Sequence, residues 1–208
     1  MLPLLAWYAW GMEGLARQVV HDTTRSWTGG EPRLALAAAS KTSILLFMGL
    51  QTVLFVVRRL PAKKYPGAPP RLAAAIGALL PYALFALPSA HPGAVLYAVS
   101  GLLVLSGTIF AIRATTRLGR SFAVFPQARG LVLGGIYRRL RHPVYLGEQT
   151  AVLGAMLQFA QPWAALVALA SVAAQFPRMS FEERLLRETY PDYAAYEART
   201  WRIVPGLY

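Results

Sequence analysis

Cysteine is absent from the 208 residues, which excludes disulfides, thiolate catalysis and cysteine metal sites in any compartment. Acidic residues are nearly as scarce: the chain has nine, and none falls between Pro32 and Gly147. Charged residues of both signs make up only 14% of the chain against 56% hydrophobic, a balance unusual for a soluble protein. A membrane protein is therefore the leading class. The three histidines do not make a metal site, because His21 and His91 fall in loops read as lying outside and His142 in one read as lying inside. The N-terminus, MLPLLAWYAWGMEGL, lacks a basic leader region and a small-residue cleavage site and reads as a retained helix. Internal repeats and low-complexity tracts are lacking as well.

What is present is cationic and apolar in separate places. The formal charge of +12 would suit nucleic acid, but the placement of the charges excludes that partner. The basic residues gather in two breaks between apolar runs, one holding Arg58, Arg59, Lys63, Lys64 and Arg71, the other, Arg113 to Arg141, holding seven arginines. Such clusters mark cytoplasmic loops. The pattern predicts an all-α, polytopic transmembrane protein. Residues 2–20 carry Glu13 and Arg17 four apart on one face, which suits either a short span or a helix lying in the interface. His21 to Arg33 reads as a non-cytoplasmic loop. Spans follow at 34–57, where Lys41 and Gln51 should face other helices or snorkel, at about 72–88, kinked at Pro81, and at about 94–112. The link from Pro88 to Gly93 should lie opposite the basic loops.

Arg113 to Arg141 has neither helical nor strand period and reads as ordered loop. Two short apolar segments, 143–160 and 162–176, are divided at Gln161-Pro162 and read as a helical hairpin with both ends cytoplasmic. From Pro177 an amphipathic cytoplasmic helix of about three turns is predicted. An aromatic end, Tyr190 to Tyr208, should then lie along the headgroups. The chain thus divides into N-terminal membrane helices, 1–112, and a loop, hairpin and C-terminal helix, 113–208, within one integrated domain.

The densest chemistry lies in Arg129 to Glu148, RGLVLGGIYRRLRHPVYLGE, where Gly130, Gly134 and Gly135 precede a basic run and a proline-started apolar segment. Proline is favoured at the first helical position, so Pro143 should open a helix with His142 at its cap. The free N–H groups and positive dipole end of that helix would sit beside the imidazole and Arg129, Arg138, Arg139 and Arg141, a setting for an anionic group. The same arginines also suit the simpler role of ending a hydrophobic segment at the membrane surface. In a second cluster, Arg178 and Glu182 stand four apart on one helical face, followed by Glu183. Alone, that spacing is most often an intrahelical ion pair worth about a few tenths of a kcal/mol. A hairpin that returns its ends to one side would bring His142, Tyr145, Arg178 and Glu182 together.

From LGRSF at Leu118 to the closing Arg202-Ile203-Val204-Pro205, the chain resembles the isoprenylcysteine carboxyl methyltransferase and phospholipid methyltransferase group of membrane enzymes. The likeness rests on LVLGGIYRRLRHPVYLGE, the Gln161-Pro162 break, RMSFEERLL and YPDYAAYEARTWRIVPG, and its specific part is RHPxYxG combined with EExxL at this spacing. The resemblance implies S-adenosylmethionine bound on the cytoplasmic side by Arg129, Gly130, Leu131, Val132, Tyr137, His142, Pro143, Val144, Tyr145 and Glu182. It implies Arg178 as the substrate residue, and Arg178 with Glu182 as the catalytic pair. Glu182 would take the cofactor ammonium, the helix start at Pro143 its carboxylate, and tyrosines would pack near the sulfonium. Arg129 departs from the pattern, standing where other members carry a histidine.

The chemistry so implied is an in-line displacement at a sulfonium methyl, in which the protein positions the partners and excludes water. A carboxylate nucleophile needs no general base and would be oriented by Arg178, whereas an amine needs a proton acceptor, for which Glu148 and Glu183 are candidates. The expected function is methylation of a lipophilic acceptor that enters from the bilayer. Carboxyl methylation of an isoprenylcysteine-like substrate comes first; N-methylation of a phospholipid amine or S-methylation of a small apolar thiol comes second. A non-enzymatic membrane scaffold is the reading from another class. Membrane lipids are expected partners, nucleic acid and metal are not, and the protein should be integral and multi-pass with its site facing the cytoplasm.

Overall fold

The first helix already runs longer than the sequence pattern suggested. The computed structural model describes residues 2–29 and 32–206, the side chains of residues 2–8 and of Pro32 excepted; Gly30 of the expected first loop and Tyr208 of the aromatic end fall outside the described residues. Helix α1, Leu2–Gly29, replaces most of the loop expected from His21. The extension is helical because its polar side chains find partners: Thr24 and Thr28 hydroxyls donate to carbonyls one turn back, and Asp22 accepts from Lys41 of α2, Pro32–Val57, at 2.7 Å. Lys41 therefore faces another helix, as does Gln51, whose amide reaches Glu148 at 3.3 Å.

Helix α3, Pro69–Leu79, passes at Leu80 into a 3-10 segment ending at Ala86. Pro81 has no N–H to give, so the winding changes where the kink was expected. Helix α4, Ala94–Leu118, carries on past the predicted end of its span. Helices α5, Pro143–Met156, and α6, Trp163–Thr189, form the hairpin, and α7, Tyr193–Glu197, closes the fold.

The hairpin differs from expectation in two ways. Its arms are unequal, because the 14 residues of α5 rise about 21 Å, short of a hydrocarbon layer about 30 Å thick. The separate helix expected after Pro177 is instead the continuation of α6, which has Pro177 in its interior. An interior proline costs about 3 kcal/mol in an isolated helix. Here the residues on either side are pinned, with the Gln175 amide donating to the Gly77 carbonyl at 2.9 Å and the Arg178 guanidinium to the Val124 carbonyl at 3.1 Å. Among the described residues four helices are long and apolar enough to cross a membrane, Arg33–Val57, Pro69–Ala86, Ala94–Ser121 and Trp163–Thr189. The protein is multi-pass.

Backbone contact between α4 and α5 sets the position of the site. A Cβ on Gly107 would fall 2.6 Å from the Gly147 carbonyl oxygen, and one on Gly147 would fall 2.6 Å from the Gly107 oxygen, so only small residues allow this approach. The two basic loops meet at one end of the bundle. Strand β1, Lys63–Lys64, pairs antiparallel with β2, Gln127–Ala128, and the Arg59 amide donates to the Arg120 carbonyl at 2.9 Å. Leu54 and Phe55 bury against Phe122 and Val124 beneath them. At the opposite end Ala90 and Pro88 hydrogen-bond to Gln158 and Ala160 of the α5–α6 turn, as the charge pattern predicted. The aromatic end lies only partly on the surface: Trp201 is exposed, but Tyr193 and Tyr196 are buried, and the Tyr196 hydroxyl donates to the carbonyls of Tyr137 at 2.8 Å and Leu140 at 3.2 Å. Tyr137 lies in a 3-10 turn, Gly135–Arg138, and Leu140 follows it, so this one hydroxyl ties the turn and the start of the next segment to α7.

Candidate functional site

The start of α5 is fixed from the C-terminus. The Trp201 amide donates to the Arg139 carbonyl at 2.9 Å, and the Arg141 and His142 amides donate to Trp201 and Arg202 carbonyls at 2.8 and 3.1 Å. This short ladder sets His142 as the residue before Pro143 with φ −123°, in the cap position expected. Its imidazole does not cap the helix. Instead Nε2 meets Glu183 Oε1 at 3.0 Å, deep in the protein. Glu183 is the hub of this region: Arg202 approaches both of its oxygens at 3.1 Å, Arg141 comes to 3.6 Å and Arg187 to 3.8 Å. A second carboxylate, Glu197, accepts from Nε and Nη2 of Arg187 at 2.6 Å and from Arg141 at 2.6 Å. The hydrogen bonds from Arg187 hold Glu197 below the usual carboxylate range, against the opposing effect of burial. Burial pushes the Tyr196 hydroxyl up to about 12 and Tyr137 above its ordinary value, so both remain donors at neutral pH.

Glu182, one residue earlier on α6, points elsewhere because successive helical residues are turned by about 100°. It accepts a hydrogen bond from the Tyr145 hydroxyl and lies 3.6 Å from Arg178 Nε. The Arg178 guanidinium sits 4.6 Å from the Tyr145 ring centroid, and the Tyr145 ring stacks on His142 at 5.4 Å. His142, Tyr145, Arg178 and Glu182 thus converge, as the hairpin argument required. The intrahelical ion pair between Arg178 and Glu182 exists too, but as part of a larger cluster.

These groups line one cavity of about 780 Å³. Of the ten expected cofactor residues, Arg129, Gly130, Leu131, Val132, Tyr137, His142, Val144, Tyr145 and Glu182 line it, and so does Arg178. Pro143 is fully buried behind them and is not on the wall. Of the four arginines expected around an anion, Arg129 and Arg141 line the cavity, whereas Arg138 and Arg139 are exposed and lie off it. Away from this polar end the walls become apolar, with Ile44, Phe47 and Met48 of α2, Tyr82 and Phe85 after α3, and Val152 and Ala155 of α5. Glu148 and Gln51 also face the cavity. Glu148 follows Tyr145 by about one turn of α5, and the Gln51 amide is its hydrogen-bond donor at 3.3 Å. Glu183 is not on the wall.

Three contributors were not expected at the site from the sequence. Gln51 had a signal, as a polar residue in an apolar run. Arg202 lay within the terminal motif but with no partner to point to, and Glu197 gave none.

Residues 91–193 match the phospholipid methyltransferase family, a stretch that contains every expected cofactor and substrate residue. No curated protein matches the chain by sequence. In fold the chain is similar to the eukaryotic intramembrane Ras methyltransferase isoprenylcysteine carboxyl methyltransferase. That likeness covers 93% of this chain and 74% of that one, with a TM-score of 0.59 and 18% sequence identity. The resemblance read from the motifs is borne out at the level of family and membrane architecture.

Proposed function

Taking the chain as a membrane methyltransferase, the class that its family match and fold support, we propose that it methylates a lipophilic acceptor with S-adenosylmethionine as donor. The observation that carries this reading is one cavity with two characters: a charged end at Tyr145, Arg178 and Glu182, and apolar walls leading away from it between helices. When bound, S-adenosylmethionine supplies an electrophilic methyl on a sulfonium. The residues present fit such a molecule. Glu182 offers a cavity-facing carboxylate for an ammonium, oriented by the Tyr145 hydroxyl. The first turn of α5 has no side-chain cap, and Val144 and Tyr145 on the wall carry N–H groups free for a carboxylate. The basic loops gather at this same end, and that distribution of cations supports a site facing the cytoplasm.

For the acceptor, Arg178 supports a carboxylate of isoprenylcysteine type, which a guanidinium facing the cavity would hold in line with the methyl. A second reading rests on Glu148. An amine or thiol nucleophile must shed a proton, and Glu148 on the cavity wall, held by Gln51, can take it; Glu183, committed to His142 and the arginines, cannot. The test is methyl transfer from labelled donor to a prenylcysteine, an aminophospholipid and an apolar thiol. Under the carboxylate reading Arg178→Ala abolishes transfer, Arg178→Lys restores little of it, and Glu148→Gln leaves it intact. Turnover of the amine or thiol alone, lost in Glu148→Gln and kept in Arg178→Ala, would replace the first reading with the second. Donor binding with no acceptor methylated and none lost on substitution would leave a scaffold.

A further inference from the structure

The chain carries 21 basic and nine acidic residues, and three acids of its charged end are already paired with cations. Glu183 and Glu197 hold Arg141, Arg187 and Arg202, and Glu188 holds Lys63 at 2.8 Å. Cations are therefore left over, and four of them lie on the end of α4 and on the turn packed against it. Arg113 and Arg117 stand four apart on the last turns of α4, on one face. The Arg117 side chain lies flat on Gly135, with Nε 3.1 Å from where a Cβ would sit, and Gly135 opens the 3-10 turn that ends in Arg138 and is followed by Arg139. All four are exposed, and none of their side chains has a hydrogen bond or ion pair to a described residue.

The level of this cluster relative to a membrane is set by its neighbours. Arg113 follows directly on the apolar run of α4. Trp201, 47% exposed, is backbone-paired to Arg139 and Arg141, and an exposed tryptophan beside cations is the usual marking of the headgroup layer. A cation cluster at that depth meets lipid phosphates before it meets any soluble anion.

We propose that Arg113, Arg117, Arg138 and Arg139 form a seat for the phosphate-bearing headgroup of an anionic phospholipid from the surrounding bilayer. The seat touches the cavity through one residue. Tyr137 lies within the same turn, lines the cavity and donates from its hydroxyl to the Ala114 carbonyl of α4 at 3.4 Å. A headgroup bridging α4 to the turn would hold that wall in place. The regulatory part of the proposal, tighter cofactor binding in anionic bilayers, rests on the function proposed above; the lipid seat itself does not.

The experiment is native mass spectrometry of the full chain without cofactor, comparing retention of phosphatidylglycerol and phosphatidylcholine. At about 1 kcal/mol per cation, Arg117→Gln with Arg138→Gln should weaken phosphatidylglycerol about 30-fold and leave phosphatidylcholine unchanged. Arg117→Lys with Arg138→Lys should retain most of the preference, which also reports that the fold is intact. Equal preference in the parent and the glutamine variant would overturn the seat, and full displacement of the lipid by millimolar inorganic phosphate would overturn its assignment to a lipid. If the lipid results hold while S-adenosylmethionine fails to bind in either bilayer, the seat stands and the methyltransferase reading is what fails.

Discussion

Replacing Glu183 by glutamine tests the packing of the whole charged end, because this one carboxylate faces His142, Arg141, Arg187 and Arg202. Its side chain is only 5% exposed, and those of His142, Arg141 and Arg202 are 6%, 14% and 11% exposed, so their contacts are little screened by water. Arg187, 47% exposed and chelated by Glu197, adds little. Removing one partner of a buried charge network strands the others, at a cost of about 3–5 kcal/mol. With about 2–4 °C per kcal/mol for a chain of this size, Glu183→Gln should lower the unfolding midpoint by roughly 10 °C, read by tryptophan fluorescence in detergent. Glu182→Gln, which loses a single ion pair at 3.6 Å and keeps an amide oxygen to accept from the Tyr145 hydroxyl, should cost far less. If stranded cations are the cause, Glu183→Met with Arg202→Met should recover much of the loss, since apolar replacement of both members of a buried pair is often neutral. A midpoint for Glu183→Gln within about 2 °C of the parent, or a double variant no better than the single one, would refute the hub.

Further predictions follow from the close approach of α4 and α5 and from Glu197. Gly147→Ala pushes a methyl to 2.6 Å from the Gly107 oxygen and should destabilise by about 1–3 kcal/mol in the same melt, while Gly134→Ala, with nothing within 4 Å, should change nothing. Glu197 sits below the usual carboxylate value, so its stabilisation is present above about pH 4.3, the unfolded value, and is lost as pH falls through the lower folded value. Melting profiles between pH 3 and 7 should therefore show a shallower acid limb for Glu197→Gln than for the parent, and identical limbs would count against the pairing.

Much of the architecture was legible because hydrophobic runs and cation clusters report membrane spans directly. The kink at Pro81, the opposed placement of the 88–93 link and the meeting of His142, Tyr145, Arg178 and Glu182 all followed from local rules. What escaped was set by distant partners. Nothing near Pro177 signals that Gly77 and Val124 will pin Gln175 and Arg178 on either side of it, so a helix boundary was expected where the helix continues. Helix α1 ran on through the expected loop for a similar reason, since Asp22 finds Lys41 across the bundle. Tyr193 and Tyr196 were read as interfacial from composition alone, whereas the carbonyls at 137 and 140 hold Tyr196 inside. The resemblance implied a cofactor role for Glu182, with Glu183 a candidate proton acceptor; the structure turns the first to the cavity and the second to the arginines.

The central claim is that the polar end of the cavity binds S-adenosylmethionine through Glu182. Calorimetric titration of the parent and Glu182→Gln in lipid nanodiscs tests it most directly, because it needs no knowledge of the acceptor. A charge-assisted hydrogen bond worth about 1.5–3 kcal/mol predicts saturable binding by the parent and an affinity roughly ten- to a hundredfold weaker in the variant, at unchanged melting behaviour. No binding to the folded parent, or equal affinity in the two proteins, would contradict the account.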